Sequence, residues 1–100
     1  MADLKYRSPR GTADILPEEQ PYWRFVLETA GALAELYGYR RIDIPIFEFA
    51  DLYIRGVGEA TDIVQKEMYL FSDRGGDRMA LRPEFTAGVC RAYLQHGMAK

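Results

Sequence analysis

The chain holds one cysteine and one histidine among its 100 residues. A lone cysteine excludes an internal disulfide and fits a reducing, cytoplasmic compartment. Cys90 and His96 sit on one expected helix at a spacing that puts them on different faces. A structural metal site takes three or four protein ligands, so no metal is expected. Charge of one sign is also missing. Thirteen basic and fifteen acidic side chains are mixed along the length, for a net charge of −2. There is no basic stripe for nucleic acid and no acidic tail, so a surface for RNA is expected elsewhere. Long apolar runs are absent, which excludes a membrane-spanning helix. The opening "MADLKYRSPRG" has no apolar core of a signal peptide.

What is present suits one globular domain. Apolar residues make up 48% of the chain, enough for one shallow core. Residues 1–16 read as an extended arm with turns at "SPRG" and "DILPEE". A helix is expected next, with Pro17 near its start and Glu18 and Glu19 at the positive end of its dipole. Trp23, Val26, Leu27, Ala30, Leu33, Ala34 and Tyr37 recur at helical spacing and predict one buried face, with Gly38 as the stop. "YRRIDIPIFEF" then reads as a strand. Pro45 inside it cannot donate to a ladder, so the strand should be an edge, end there, or meet something other than its own sheet. "ADLYIRGVG" reads as a short helix, and "ATDIVQKE" begins another with Thr61 as N-cap.

"EMYLFSDRGGDRMALRP" carries a hairpin signal, with two strand-like runs around Gly75-Gly76. Asp73, Arg74, Asp77 and Arg78 at its tip read as a solvated turn whose charge pairs contribute little. "TAGVCRAYLQHG" predicts a last helix, capped by Thr86, ended by Gly97, with Val89, Cys90, Tyr93 and Leu94 as its inner stripe. Cys90 is accordingly expected to be buried and structural. The order predicts an α+β fold, an antiparallel sheet with flanking helices, in one domain over residues 1–100. "RGVGEA" lacks the third glycine of a dinucleotide loop and reads as a plain turn.

One stretch, "LRPEFTAG" at 81–88, resists a purely structural account. Side chains alternate in an extended segment, so Arg82, Glu84 and Thr86 share a face. Pro83 should break the backbone away from the sheet just where the carboxylate appears. Two readings stand side by side. Glu84 pairs with Arg82 or another arginine while Thr86 caps the helix, or the carboxylate and hydroxyl together hold a small cationic ligand.

The chain resembles the N-terminal part of the catalytic domain of bacterial histidyl-tRNA synthetases, which are class II enzymes. "RGTADILPEE" resembles the opening arm. "YGYRRIDIPIFE" resembles class II motif 1, placed at about 32–48, with Pro45 in the motif's proline position. "VGEATDIVQKEMYLFSDRGGD" and "LRPEFTAGVCRAYLQHGM" resemble the segments that follow, the second being the histidine-binding stretch over 81–98. The resemblance implies a partial class II core and an ATP-dependent histidine–tRNA ligase. That enzyme activates L-histidine to the adenylate and transfers it to tRNA(His), with Mg2+ accompanying ATP. It implies that Glu84 pairs with the substrate's α-ammonium, that Thr86 accepts a hydrogen bond from it, and that Phe85 shapes the turn. It also implies a homodimer in which Ile44, Pro45 and Ile46 lie at the interface. The family most often has a small residue, commonly glycine, where this chain has Phe85. A positive φ there would strain a phenylalanine, and the reading preferred is that Phe85 is extended and points to the other face.

Motif 2, motif 3, the ATP contacts and the imidazole-reading segment would lie beyond residue 100. The expectation is therefore a piece of a synthetase, with no catalytic residue of its own and inactive alone. The rival within this resemblance is the regulatory subunit of ATP phosphoribosyltransferase, a non-catalytic paralogue. It tends to carry aspartate after "LRP" and to lack "VGEATDIVQKEMY", and this chain differs from it on both counts. A second rival is an interaction module in which Glu84 serves only structure.

Overall fold

The computed structural model describes residues 5–57 and 67–99. The chain forms two compact units, residues 1–41 and residues 42–100, although the sequence has no linker at that point. Their boundary falls inside the stretch expected to be one strand.

The first unit carries helix α1, Gln20–Leu36. It begins later than Pro17 suggested, with Pro21 in its first turn, where a missing N–H costs nothing. Glu19 precedes the helix, and its carboxylate reaches back to accept from the Leu16 amide at 3.2 Å. Gly38 closes the helix as expected. At φ +84° it lets the Tyr39 amide reach the Ala34 carbonyl at 3.0 Å. The apolar stripe is real but not buried. No α1 residue is buried; Trp23, Val26, Leu27 and Leu33 are each about half exposed or more, and only Ala34 is half-buried.

The second unit contains β1 (Phe47–Phe49), α2 (Ala50–Val57), β2 (Leu70–Ser72), β3 (Arg78–Leu81) and α3 (Thr86–Gln95). The three strands form an antiparallel sheet in the order β1-β3-β2, the α+β arrangement expected. Pro45 leaves β1 much shorter than "YRRIDIPIFEF" suggested. Residues 39–45 are not strand, and pairing starts only after the proline, on an edge strand. The helix expected from "ATDIVQKE", with Thr61 as its cap, lies outside the described residues.

The β2–β3 hairpin forms around the expected glycines, but through a longer loop than a two-residue turn. Ser72 pairs with Arg78, and the Asp73 amide donates to the Asp77 carbonyl at 2.9 Å. The Asp73 carboxylate accepts from the Asp77 amide at 2.8 Å, so this side chain ties the loop. Gly76, at φ +88°, turns the chain where a side chain would be strained.

Register decides which side chains meet the helices. Glu48 lies opposite Ala80, and Ala80 opposite Leu70, so these three share a face. Ala50, Tyr53 and Ile54 of α2 pack with Ala80 as the core. Ala80 is fully buried, and its small side chain lets α2 come close to the sheet. Phe47, Phe49, Phe71 and Leu81 project from the other face and remain exposed around buried Met79. Phe47 and Phe71 meet edge to face there, with centroids 5.9 Å apart.

Candidate site at the start of helix α3

The last sheet bonds of β3 run from the Leu81 amide to the Tyr69 carbonyl (3.0 Å) and from the Arg82 amide to the Ile46 carbonyl (2.9 Å). Pro83 has no amide to continue, and the chain leaves the sheet. Phe85 becomes the N-cap of α3, with φ −96° and ψ −27°. This corrects two expectations. Thr86 is the first helical residue, not the cap. Phe85 is the cap; its backbone angles lie in the right-handed α region, not the extended one, and need no left-handed geometry.

Glu84 does the capping instead. One carboxylate oxygen accepts from the Thr86 amide at 2.6 Å and the other from the Ala87 amide at 3.0 Å. These are two of the orphan donors of a helix start. The carboxyl is held below its ordinary value chiefly by the Ala87 N–H, against some desolvation, with the Thr86 N–H and hydroxyl adding to the effect. Glu84 is nonetheless exposed. Each oxygen keeps lone-pair capacity facing outward.

Arg82 does not pair with Glu84. Its Nη1 donates to the Ile44 carbonyl at 2.9 Å and more weakly to the Pro45 carbonyl at 3.4 Å. The guanidinium lies over the Phe85 ring, 4.6 Å from its centroid. Among the described residues, Glu84 makes no salt bridge with an arginine. The carboxylate serves a helix terminus while staying open to solvent.

The structure brings Glu84, Phe85 and Thr86 together in one turn. Of the three residues expected at an interface, Ile44 is half-buried, whereas Pro45 and Ile46 are exposed. Ile44 faces inward because α3 presses on it. A Cβ on Gly88 would stand 2.6 Å from Ile44 Cδ1 and 3.6 Å from Glu48 Oε1. The covered stripe of α3 is therefore Gly88 and Ala92, not the one expected. Val89, Cys90, Tyr93 and Leu94 instead line an apolar cleft of about 370 Å³, and the Cys90 thiol is exposed rather than buried.

Three residues of this region were not foreseen. Glu48 is buried, and its Oε1 accepts from Arg91 Nη2 at 2.8 Å. Arg91 Nη1 also donates to Gln95 Oε1 at 2.7 Å. Tyr53 is buried nearby; its phenol is pushed up by burial first and then by the Glu48 and Glu84 charges, with Arg82 and Arg91 opposing. The sequence did carry a signal for Glu48. In "FEF" the lone carboxylate alternates with two aromatics, so one kind or the other must face the helices. Among groups of histidine, cysteine and acidic side chains in the described residues, none could hold a metal ion. No helix of the described residues is long and apolar enough to cross a membrane.

Comparison with known proteins gives this geometry a family. A histidine–tRNA ligase from Dehalococcoides mccartyi is 68% identical over 93 residues, which cover 93% of this chain and 22% of the relative. One from Caldicellulosiruptor saccharolyticus is 50% identical over 96 residues, covering 96% of this chain and 23% of the relative. The crystal structure of apo histidyl-tRNA synthetase from S. aureus superposes with a TM-score of 0.79 at 41% identity, over 94% of this chain and 21% of that one. An ATP phosphoribosyltransferase regulatory subunit/histidyl-tRNA synthetase from Bacillus halodurans gives 0.69 at 25% identity, over 92% and 23% of the two chains. The chain thus spans about a fifth of the length of these curated relatives, 22% in the D. mccartyi ligase. Residues 11–99 match the model of the histidyl-tRNA synthetase family, and this chain belongs to that family.

Proposed function

We propose that this chain is the part of a histidine–tRNA ligase that receives the α-ammonium of L-histidine at Glu84, with Phe85 and Thr86 completing the turn. The whole enzyme would activate histidine with ATP and Mg2+, bound mainly by other parts of the protein, and pass the product to tRNA(His). The observation that carries this reading is an exposed carboxylate held open by two backbone amides and, among the described residues, in no salt bridge with an arginine. Its lowered pKa keeps it ionised at neutral pH. An incoming ammonium would meet a charge already fixed in place, so little ordering remains to be done on binding. The Thr86 hydroxyl, turned toward Glu84, can donate to the carboxylate and accept from the ammonium. With its ammonium held, histidine would present its own carboxylate to the α-phosphate of ATP. These residues would then contribute position and charge, not covalent chemistry.

Identity favours the ligase over the regulatory paralogue. The D. mccartyi ligase is 68% identical, whereas the B. halodurans protein, whose description joins both names, is 25% identical. In the same reading the 81–98 stretch is the histidine-binding segment and 32–48 is motif 1. Exposed Pro45 and Ile46, backed by Ile44, would form part of a homodimer interface. The site is tested by Glu84→Ala in a full-length synthetase carrying this sequence. A charge-assisted bond contributes about 1.5–3 kcal/mol, so KM for histidine should rise roughly 10- to 100-fold. Unchanged histidine kinetics would remove the assignment.

A further inference from the structure

We propose that Glu48 and Arg91 are a positioning pair that sets helix α3 on the sheet and thereby aims the Glu84 carboxylate. The two residues come from distant parts of the sequence, one from the middle of β1 and one from the second turn of α3. Their contact is 2.8 Å, with the Glu48 side chain 6% exposed and that of Arg91 28% exposed. An ion pair on the surface could be lost without consequence; one with a buried carboxylate cannot, because the partner left behind stays desolvated.

The pair is placed to control the site. Glu48 lies on the helix-facing side of the sheet, opposite Ala80. Gly88 and Ala92, the buried residues of α3, flank Arg91 along the helix. At Gly88 the helix comes so close to Ile44 that a Cβ would stand 2.6 Å from its Cδ1 and force that side chain to shift, while Glu48 Oε1 would lie at ordinary contact distance, 3.6 Å. Close approach at glycine and the ion pair one turn later fix both the height and the rotation of α3. The first turn of that helix supplies the Thr86 and Ala87 amides that hold Glu84. Gln95 holds the other arm of the Arg91 guanidinium, which leaves Nη2 directed at Glu48. Neither Glu48 nor Arg91 is asked to touch the substrate. Their effect reaches it through the amides of the α3 start.

The inference concerns the aim of Glu84, and only its kinetic arm rests on the reading of Glu84 as counter-ion to histidine. Glu48→Gln, Arg91→Met and Arg91→Lys are made in a full-length synthetase carrying this sequence and in the chain itself. Two readouts are taken: KM and kcat for histidine in the enzyme, and the titration of the Glu84 carboxyl by carbon NMR in the chain. With Glu48→Gln and Arg91→Met, the carboxyl should titrate nearer its ordinary value, and KM should rise about tenfold with kcat changed much less. Arg91→Lys keeps one charged donor and should recover most of both effects. An unmoved Glu84 titration in folded Glu48→Gln overturns the proposal. So does Arg91→Met behaving like the unaltered protein. If the titration moves and KM does not, the positioning role stands, and it is the assignment of Glu84 to the ammonium that fails. If Glu48→Gln and Arg91→Met do not fold, Arg91→Lys decides alone: the proposal requires the unaltered titration to persist in it with at most a small change in KM.

Discussion

Replacing Glu84 should loosen the start of α3 in a pH-dependent way, whatever the carboxylate binds. Its two oxygens cap the Thr86 and Ala87 amides at 2.6 and 3.0 Å. Loss of a helix cap costs about 0.5–2 kcal/mol, and a negative charge at a helix N-terminus adds about 0.3–1 kcal/mol. Glu84 is exposed, so water can take over the freed amides and salt screens the charge. The lower half of the combined range applies, about 1 kcal/mol for Glu84→Ala, or roughly fivefold faster exchange of the Thr86 and Ala87 amides with deuterium. The sign with pH follows from the lowered carboxyl. A group more acidic in the folded than in the unfolded state contributes its full stability above the unfolded value of about 4.5 and loses it as pH falls through the folded one. The difference between the native chain and Glu84→Ala should therefore be complete at neutral pH and shrink in acid. Glu84→Gln keeps an acceptor oxygen without the charge, so it should keep part of the protection at every pH. Native hydrogen exchange at several pH values measures all three. A pH-independent gap, or unchanged protection of the two amides in Glu84→Ala, would refute the capping account.

Gly76 sits at φ +88° in the hairpin loop, so Gly76→Ala should destabilise the second unit by about 1–2 kcal/mol in urea denaturation. Equal stability would mean the loop adopts another turn. Gly88→Ala should displace α3 from Ile44, lowering stability by up to about 1–2 kcal/mol after its gain in helix propensity. Adding Ile44→Val deletes the atom it meets and should restore that loss; failure to restore it would place the strain elsewhere. Cys90 is exposed, so a thiol reagent should modify it without denaturant, and Cys90→Ser should change stability by less than about 0.5 kcal/mol. Protection of the thiol until unfolding would contradict its placement.

The legible parts of the fold were those that one local rule decides. Gly38 and the Gly75-Gly76 loop need conformations that few other residues tolerate, and both turns lie where the sequence put them. The exit of the chain from the sheet after Arg82 was readable because Pro83 must end the ladder, and it does. Facing was not legible. Val89, Cys90, Tyr93 and Leu94 look like the inner stripe of α3 because they are the larger apolar residues, yet the covered positions are Gly88 and Ala92. Small residues go inward there because helix and chain come within contact distance at Ile44. In "FEF" the alternation left open which kind of side chain faces the helices, and a distant arginine makes the carboxylate the tolerable one there. The structural partners of Glu84 were not legible: it accepts from the Thr86 and Ala87 amides, not from an arginine among the described residues. Sequence alternation put Arg82 on its face, but Arg82 is taken by the Ile44 and Pro45 carbonyls. No local pattern announces a bond between positions 38 apart.

The order in which β1 and β2 join β3 has a kinetic consequence. β2 and β3 are joined by a short loop tied by Asp73, and such a ribbon assembles in roughly 1–10 μs. β1 reaches the opposite edge of β3 only after the intervening chain has closed, at a larger entropic cost. The late event is then the one that seats Ile44, Ile46 and Glu48. Substitutions in the ribbon should slow folding, whereas substitutions at Ile44 or Glu48 should mainly speed unfolding. Equal partition of the two groups between the rates would reverse that order. The turn that presents Glu84 is then bounded on one side by the earliest part of the sheet and on the other by the latest, so it takes its final shape only when the last strand arrives.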